Sequence, residues 1–296
     1  MNRIKTNKIL IPLDFSDTSL EAIKHASLIL KHSPGEIILL HVHKKRDVLD
    51  FISAEHEAAD VLVTNFVSKR LEELAEKIRE EEGLTVSTLI YTGNITTEIM
   101  EVVERNKIDL IIMGTRGRDS DNNKFMGSNA YRVITKSTIP VIAVHSSYAK
   151  PAYDNILIPI DTSEHSRQKV DSAVYLAKKL NAQLSVIGLI GKGEETYTYK
   201  MEVIMGQIQK LAKDKNVHCV TEIQTSLNRA GTTLTHAEKI HADLIMIMTD
   251  QHAEFSSIIL GTYAHQLINE SKVPVLCIPP ETHPENIPPD NLGGMW

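Results

Sequence analysis

The sequence predicts an α/β protein made of two tandem doubly wound parallel sheets of five strands each, and three observations carry that expectation. Short β-branched runs alternate with longer amphipathic stretches, the pattern of strands covered by helices on both faces. The chain is written twice: KILIPLDFSDTS (8–19) returns as NILIPIDTSEHS (155–166) at an offset of 147, and STIPVIAV (137–144) returns as SKVPVLCI (271–278) at an offset of 134. A length of 296 residues suits two homologous domains of ordinary size, not a solenoid of short repeats.

In the first copy the pattern places strands at 7–13, 36–43, 85–90, 108–113 and 140–144, and helices at 17–32, 52–82, 95–106 and 127–137. Ser16 or Asp17 caps the first helix, whose residues Leu20, Ile23, Ala26, Leu28 and Ile29 form one apolar face. The second helix is long and charged, a solvated face that stops at Gly83. The second copy repeats this order with 13 residues fewer, the difference between the two offsets. The deletion is expected near GKGEETYTY (191–199), a polar stretch read as flexible and partly disordered. The expected domains are residues 1–147 and 152–280. Residues 281–296, rich in proline, are expected to form a flexible tail outside the fold, and its Trp296 is given no role.

Composition narrows the function. The hydrophobic content of 42% supplies two cores, while a net charge of −6 argues against nucleic acid or an anionic membrane as partner. No apolar run approaches the ~20 residues of a membrane span, and the N-terminus lacks the core of a signal peptide, so a cytoplasmic location is expected. Two cysteines, Cys219 and Cys277, both in strand-like runs, read as small buried hydrophobes.

The most informative stretch is 108–130, IDLIIMGTRGRDSDNNKFMGSNA. An apolar run ends at Gly114, Gly117 follows, then nine residues, then Gly127-Ser128 opening a helical pattern. Glycines let backbone N–H groups approach a ligand, and the unpaired N–H groups of a helix start attract phosphate oxygens. Arg116, Arg118 and Lys124 add positive charge. Neither the Walker loop nor the dinucleotide fingerprint is present. The spacing G-x2-G-x9-G-S resembles the signature of the universal stress protein A family, and the likeness covers residues 5 to 145 and 153 to 279.

That resemblance implies an adenine nucleotide alpha hydrolase-like sheet, Rossmann-like in its winding, with the first and fourth strands adjacent at the ligand crevice. It further implies ATP, with or without Mg²⁺, as cofactor. The residues it carries to the site are Pro12, Asp14, Val42, Met113, Gly114, Arg116, Gly117, Gly127, Ser128 and Asn129. Asp14 would accept from a ribose hydroxyl or hold a metal through water; its alternative is capping the first helix. The Val42 backbone would meet the adenine edge. Gly93 reads as a structural turn glycine. His41 and His43 share a strand face at a spacing a metal tolerates, but with no third ligand apparent they read as ordinary strand histidines.

The second copy departs from the motif. Met248 and Gln251 replace the first two glycines, and Asp250, His252 and Glu254 enter the loop, so it is not expected to bind ATP. Asp161, the counterpart of Asp14, then reads as a relic or a helix cap. The expected function is a nucleotide-binding stress-response regulator or sensor, not an enzyme, with no catalytic residue assigned. PVIAV and PVLCI would pair within the chain as a pseudo-dimer, leaving an unknown protein partner and a further homodimer open. The alternatives are a slow ATPase or autophosphorylating protein, and an interaction scaffold whose second crevice is lined by Met248, Leu227 and Ile259.

Overall fold

A computed structural model describes residues 4–32, 34–44, 54–116, 126–145, 153–249 and 260–280, with backbone alone over 54–60. The first half comprises β1 (Lys8–Pro12), α1 (Asp17–Leu30), β2 (Glu36–Lys44), α2 (Ala54–Glu82), β3 (Thr85–Gly93), α3 (Ile95–Asn106), β4 (Leu110–Gly114), α4 (Ser128–Lys136) and β5 (Val141–Val144). The second comprises β6 (Asn155–Ile160), α5 (Glu164–Arg167), α6 (Val170–Leu180), β7 (Gln183–Gly191), α7 (Thr198–Asp214), β8 (Cys219–Ser226), α8 (Arg229–Lys239), β9 (Leu244–Met248), α9 (Thr262–Glu270) and β10 (Val275–Ile278).

The strands form one continuous sheet of ten, in the order β3-β2-β1-β4-β5-β10-β9-β6-β7-β8. All pairs within a half are parallel. The two halves join where β5 and β10 run antiparallel, with Val275 opposite Ala143 and Leu276 opposite Ile142. Alone, each half would end in an edge strand with unpaired backbone groups; the junction satisfies both edges. Ile142, Val144 and Leu276 are almost wholly buried, and each such side chain stabilises by about 1.5–3 kcal/mol.

Strand residues alternate between two cores. Ile9, Ile11, Leu110 and Ile112 face α1 and α2, whereas Leu10, Ile111 and Met113 face α3 and α4; the second half repeats this with its own helices. Burial on both faces explains why the strands read as unbroken apolar runs. A recurrent aspartate staples the opposite end of each half. Asp109 accepts from the amides of Asn7 and Lys8, both at 3.1 Å, and Asp243 accepts from those of Asp154 and Asn155, both at 2.9 Å.

The halves differ in two places. The first helix of the second half is broken into α5 and α6, where an unbroken copy of α1 is expected. The stretch 191–199, expected to be partly disordered, is ordered: β7 ends at Gly191, and a 3-10 turn at Glu195–Tyr197 leads into α7. Glu194 holds it, accepting from the Gly191 amide at 2.9 Å and pairing with Arg229 at 3.2 Å. The shorter second helix, 17 residues in α7 against 29 in α2, absorbs the deletion. The tail 281–296 with Trp296 lies outside the described residues, as does the expected junction between the domains 1–147 and 152–280. No described helix is long and apolar enough to cross a membrane.

Side chains also tie the halves together. His25 Nδ1 of α1 lies 2.6 Å from the Tyr153 hydroxyl, both buried, and Lys179 donates to the hydroxyl of Thr6. Burial holds the His25 ring at about 4, well under its ordinary 6.5, with Glu21 opposing. Between those two values the unfolded chain binds the proton and the folded chain does not, so stability is complete above about pH 6.5 and falls as the pH drops towards 4. From pH 7 to 5 this site alone contributes a loss of about 2 kcal/mol. Urea unfolding at both pH values should show a smaller drop for His25→Gln than for the unaltered chain; equal drops would contradict this assignment.

Candidate functional site

The order of strands reverses between β1 and β4, and a cavity of about 340 Å³ opens at the carboxyl ends of those strands. Past β1, the Leu13 amide donates to Leu40 O at 2.7 Å, and His41 Nδ1 lies 2.7 Å from Leu13 O, fastening the turn to β2. Phe15 then takes a left-handed conformation, φ 61°, rare for a residue with a Cβ. Its ring lies 5.4 Å from that of His41, under the Arg70 guanidinium. This kink delivers Ser16 to the start of α1 as its cap, accepting from the Ser19 amide at 3.3 Å. Asp14 therefore does not cap the helix. Its Oδ1 accepts from the Ser16 amide at 3.0 Å and hydroxyl at 2.5 Å, while the residue lines the cavity.

Past β4, a Cβ on Gly114 would stand 2.8 Å from the Thr18 carbonyl carbon and 2.9 Å from the Ser19 amide nitrogen. This glycine is demanded by the close approach of α1. The Thr18 hydroxyl donates to Arg116 O, pinning the backbone just past β4 against the start of α1. Thr115 donates its amide to Val144 O at 2.9 Å, and its hydroxyl lies 2.9 Å from His145 Nδ1; burial brings that imidazole down to about 4. The loop closes where the Gly127 amide donates to Thr115 O at 2.8 Å. Gly127 caps α4 without a side chain, so among the described residues the first-turn amides of Ser128, Asn129 and Ala130 have no side-chain cap. Among the described residues, a Cβ on Gly127 would meet only Thr115 O, at 3.4 Å.

Of the residues expected at the site, Pro12, Asp14, Val42, Met113, Gly114, Arg116, Gly127, Ser128 and Asn129 all line this cavity; Gly117, Arg118 and Lys124 lie outside the described residues. The reading from sequence missed Ile95 and Ile99 of α3, Leu40 and Thr115 in the same wall. The helical periodicity of ITTEI could have flagged the two isoleucines. The His41 and His43 rings meet edge-on with centroids 4.7 Å apart, and no group of three metal-ligating side chains occurs among the described residues.

The second crevice is built differently. Arg229, at the start of α8, stands where α3 has Ile95, and its guanidinium reaches Asp161 at 3.5 Å and Glu194 at 3.2 Å. Burial raises the Asp161 carboxyl, but hydrogen bonds from Ser163 and Ser166 and the Arg229 charge outweigh it and leave the group below its usual value. Asp161 is not the helix cap either; Ser163 is, accepting from Ser166 at 3.1 Å. Buried Lys169 replaces Ala22 beside the break between α5 and α6. Met248, where the first half has Gly114, carries a buried side chain, whereas Leu227 is 84% exposed; Ile259 is outside the described residues.

A family model described as the universal stress protein family matches residues 5–145 and again 152–279. The chain belongs to that family. Universal stress protein MJ0531 of Methanocaldococcus jannaschii is 36% identical over 140 residues, covering 46% of this chain and 81% of that protein. Universal stress protein A of Escherichia coli is 30% identical over 141 residues, covering 43% and 95%. Each thus corresponds to about one half of this chain. A crystal structure of a universal stress protein from Archaeoglobus fulgidus superposes with a TM-score of 0.76 at 22% identity, covering 93% of this chain and 99% of that one, which extends the likeness of fold to both halves.

The two motif glycines of this universal stress protein predict different tolerances. Gly114→Ala should destabilise the fold by about 1–3 kcal/mol, since helix backbone must move to admit the methyl group. Gly127→Ala should cost much less. Equal urea midpoints for the two variants would contradict the packing role of Gly114.

Proposed function

We propose that this chain is a nucleotide-binding stress-response regulator or sensor that takes ATP in the cavity of its first half. The observation that carries this reading is the convergence, in one cavity, of an uncapped α4 start and the strand-end carboxylate of Asp14. A volume of about 340 Å³ suits a small molecule. Asp14 and the Val42 backbone would hold the nucleoside, with Met113, Ile95 and Pro12 as apolar wall. The amides of Ser128 to Ala130, the Ser128 hydroxyl and Arg116 would receive phosphate oxygens, where the helix dipole favours negative charge. Mg²⁺, where it accompanies the nucleotide, would supply further charge neutralisation.

Binding, without dedicated turnover, is the proposed activity. Among the described residues lining the cavity, the groups able to accept a proton are Asp14 and His41, and both belong to the nucleoside end. In the second half the Arg229 guanidinium occupies Asp161, the position a ribose would need, so we infer one nucleotide site and a supporting half that meets partners.

Isothermal titration with ATP tests the reading. The unaltered protein should bind, and Asp14→Ala should weaken ATP and adenosine alike by about tenfold, the loss of a hydrogen bond to a charged group. No heat of ATP binding by the unaltered protein, with or without Mg²⁺, would overturn it.

A further inference from the structure

The halves meet along β5 and β10 and again around α4 and α9, and there the contacts cross. The amide of Met126, just before the α4 cap, donates to Asn269 Oδ1 of α9 at 2.7 Å. In return the amide of Leu260, just before the α9 cap, donates to the Tyr131 hydroxyl of α4 at 3.3 Å. Tyr131 also packs edge-on against His265, their ring centroids 6.1 Å apart.

The exchange is not symmetric. At the offset of 134 that relates Gly127 to Gly261, Asn269 corresponds to Thr135 and His265 to Tyr131. Thr135 turns its hydroxyl onto its own helix, donating to the carbonyls of Tyr131 at 2.9 Å and Arg132 at 3.1 Å. Asn269 instead reaches the other half and is oriented for it. Its Nδ2 lies 3.2 Å from His265 Nδ1, one turn earlier in α9, which turns Oδ1 towards Met126, where a backbone N–H requires an acceptor.

Two consecutive amides at the entry to α4 are thus held by acceptors from the two halves: Gly127 by Thr115 O of the first at 2.8 Å and Met126 by Asn269 Oδ1 of the second. With both engaged, the amides left for a ligand are those of the first helical turn, and the way the chain enters at Gly127 fixes their direction. We propose that Asn269 is a positioning residue through which the second half sets the phosphate end of the site in the first. The inference rests on the nucleotide reading of that cavity and gives the degenerate half a task beyond covering a sheet edge.

The test combines affinity with amide exchange. Asn269→Ala should weaken ATP about fivefold, the worth of one hydrogen bond, while adenosine, held at the Asp14 end, binds as before. Tyr131→Phe, which removes only the reciprocal bond, should leave both ligands unchanged. By NMR without ligand, the Met126 amide should exchange faster in Asn269→Ala and stay protected in Asn269→Asp, which keeps the acceptor. Unaltered ATP affinity in Asn269→Ala, an equal loss of adenosine, or an equal loss in Tyr131→Phe would overturn the proposal. Failure of the unaltered chain to bind ATP would overturn the nucleotide reading and this inference with it, whereas Met126 exchange reports separately whether Asn269 holds the loop.

Discussion

Two parallel half-sheets can share one sheet only if their last strands meet with both edges satisfied, and the antiparallel pairing of β5 with β10 provides that meeting. A two-fold operation relates the halves there, as in an isologous dimer, so equivalent elements are brought face to face. The pairing places α4 beside α9 and lets Met126 of one half contact Asn269 of the other. Covalent fusion then removes the need for equivalence. Each half need satisfy only its own role, and the differences at Arg229, Lys169 and Met248 mark where the second crevice has departed from the first.

Within the first half, the cavity depends on backbone more than on side chains. Gly114 lets α1 close on β4, the Thr18 hydroxyl fastens the Arg116 carbonyl, and Gly127 leaves the α4 start without a side-chain cap. The first and third glycines of one motif thus act for different reasons, the first for packing and the third for an open helix end. The left-handed Phe15 has a comparable part. Its strained backbone, held by a tilted ring contact with His41, turns the chain so that Asp14 lines the cavity while Ser16 takes the cap.

Much of this was legible in the sequence. Local signals placed the strands and helices of the first half, because each depends on nearby residues: β-branched runs, the Ser16 cap, glycine stops. The glycine spacing and Asp14 pointed to neighbouring parts of one cavity. What the residues could not disclose by themselves was pairing at a distance. Strand order is a tertiary property, and it was expected only through the family resemblance. The acceptor roles of Asp109 and Asp243 need β1 beside β4 and β6 beside β9. Arg229 aligns with Ile95 and was within reach of the comparison, but its closure of the second crevice becomes evident only when the α8 start is seen to face Asp161. The ordered 191–199 stretch was misread because polar composition said nothing of the Glu194 contacts that hold it.

The central claim is one nucleotide site in a chain with two homologous halves. Native mass spectrometry of the intact protein at saturating ATP tests it most directly. One bound nucleotide per chain is expected; two per chain would mean that the second crevice opens despite Arg229 and would overturn the single-site reading.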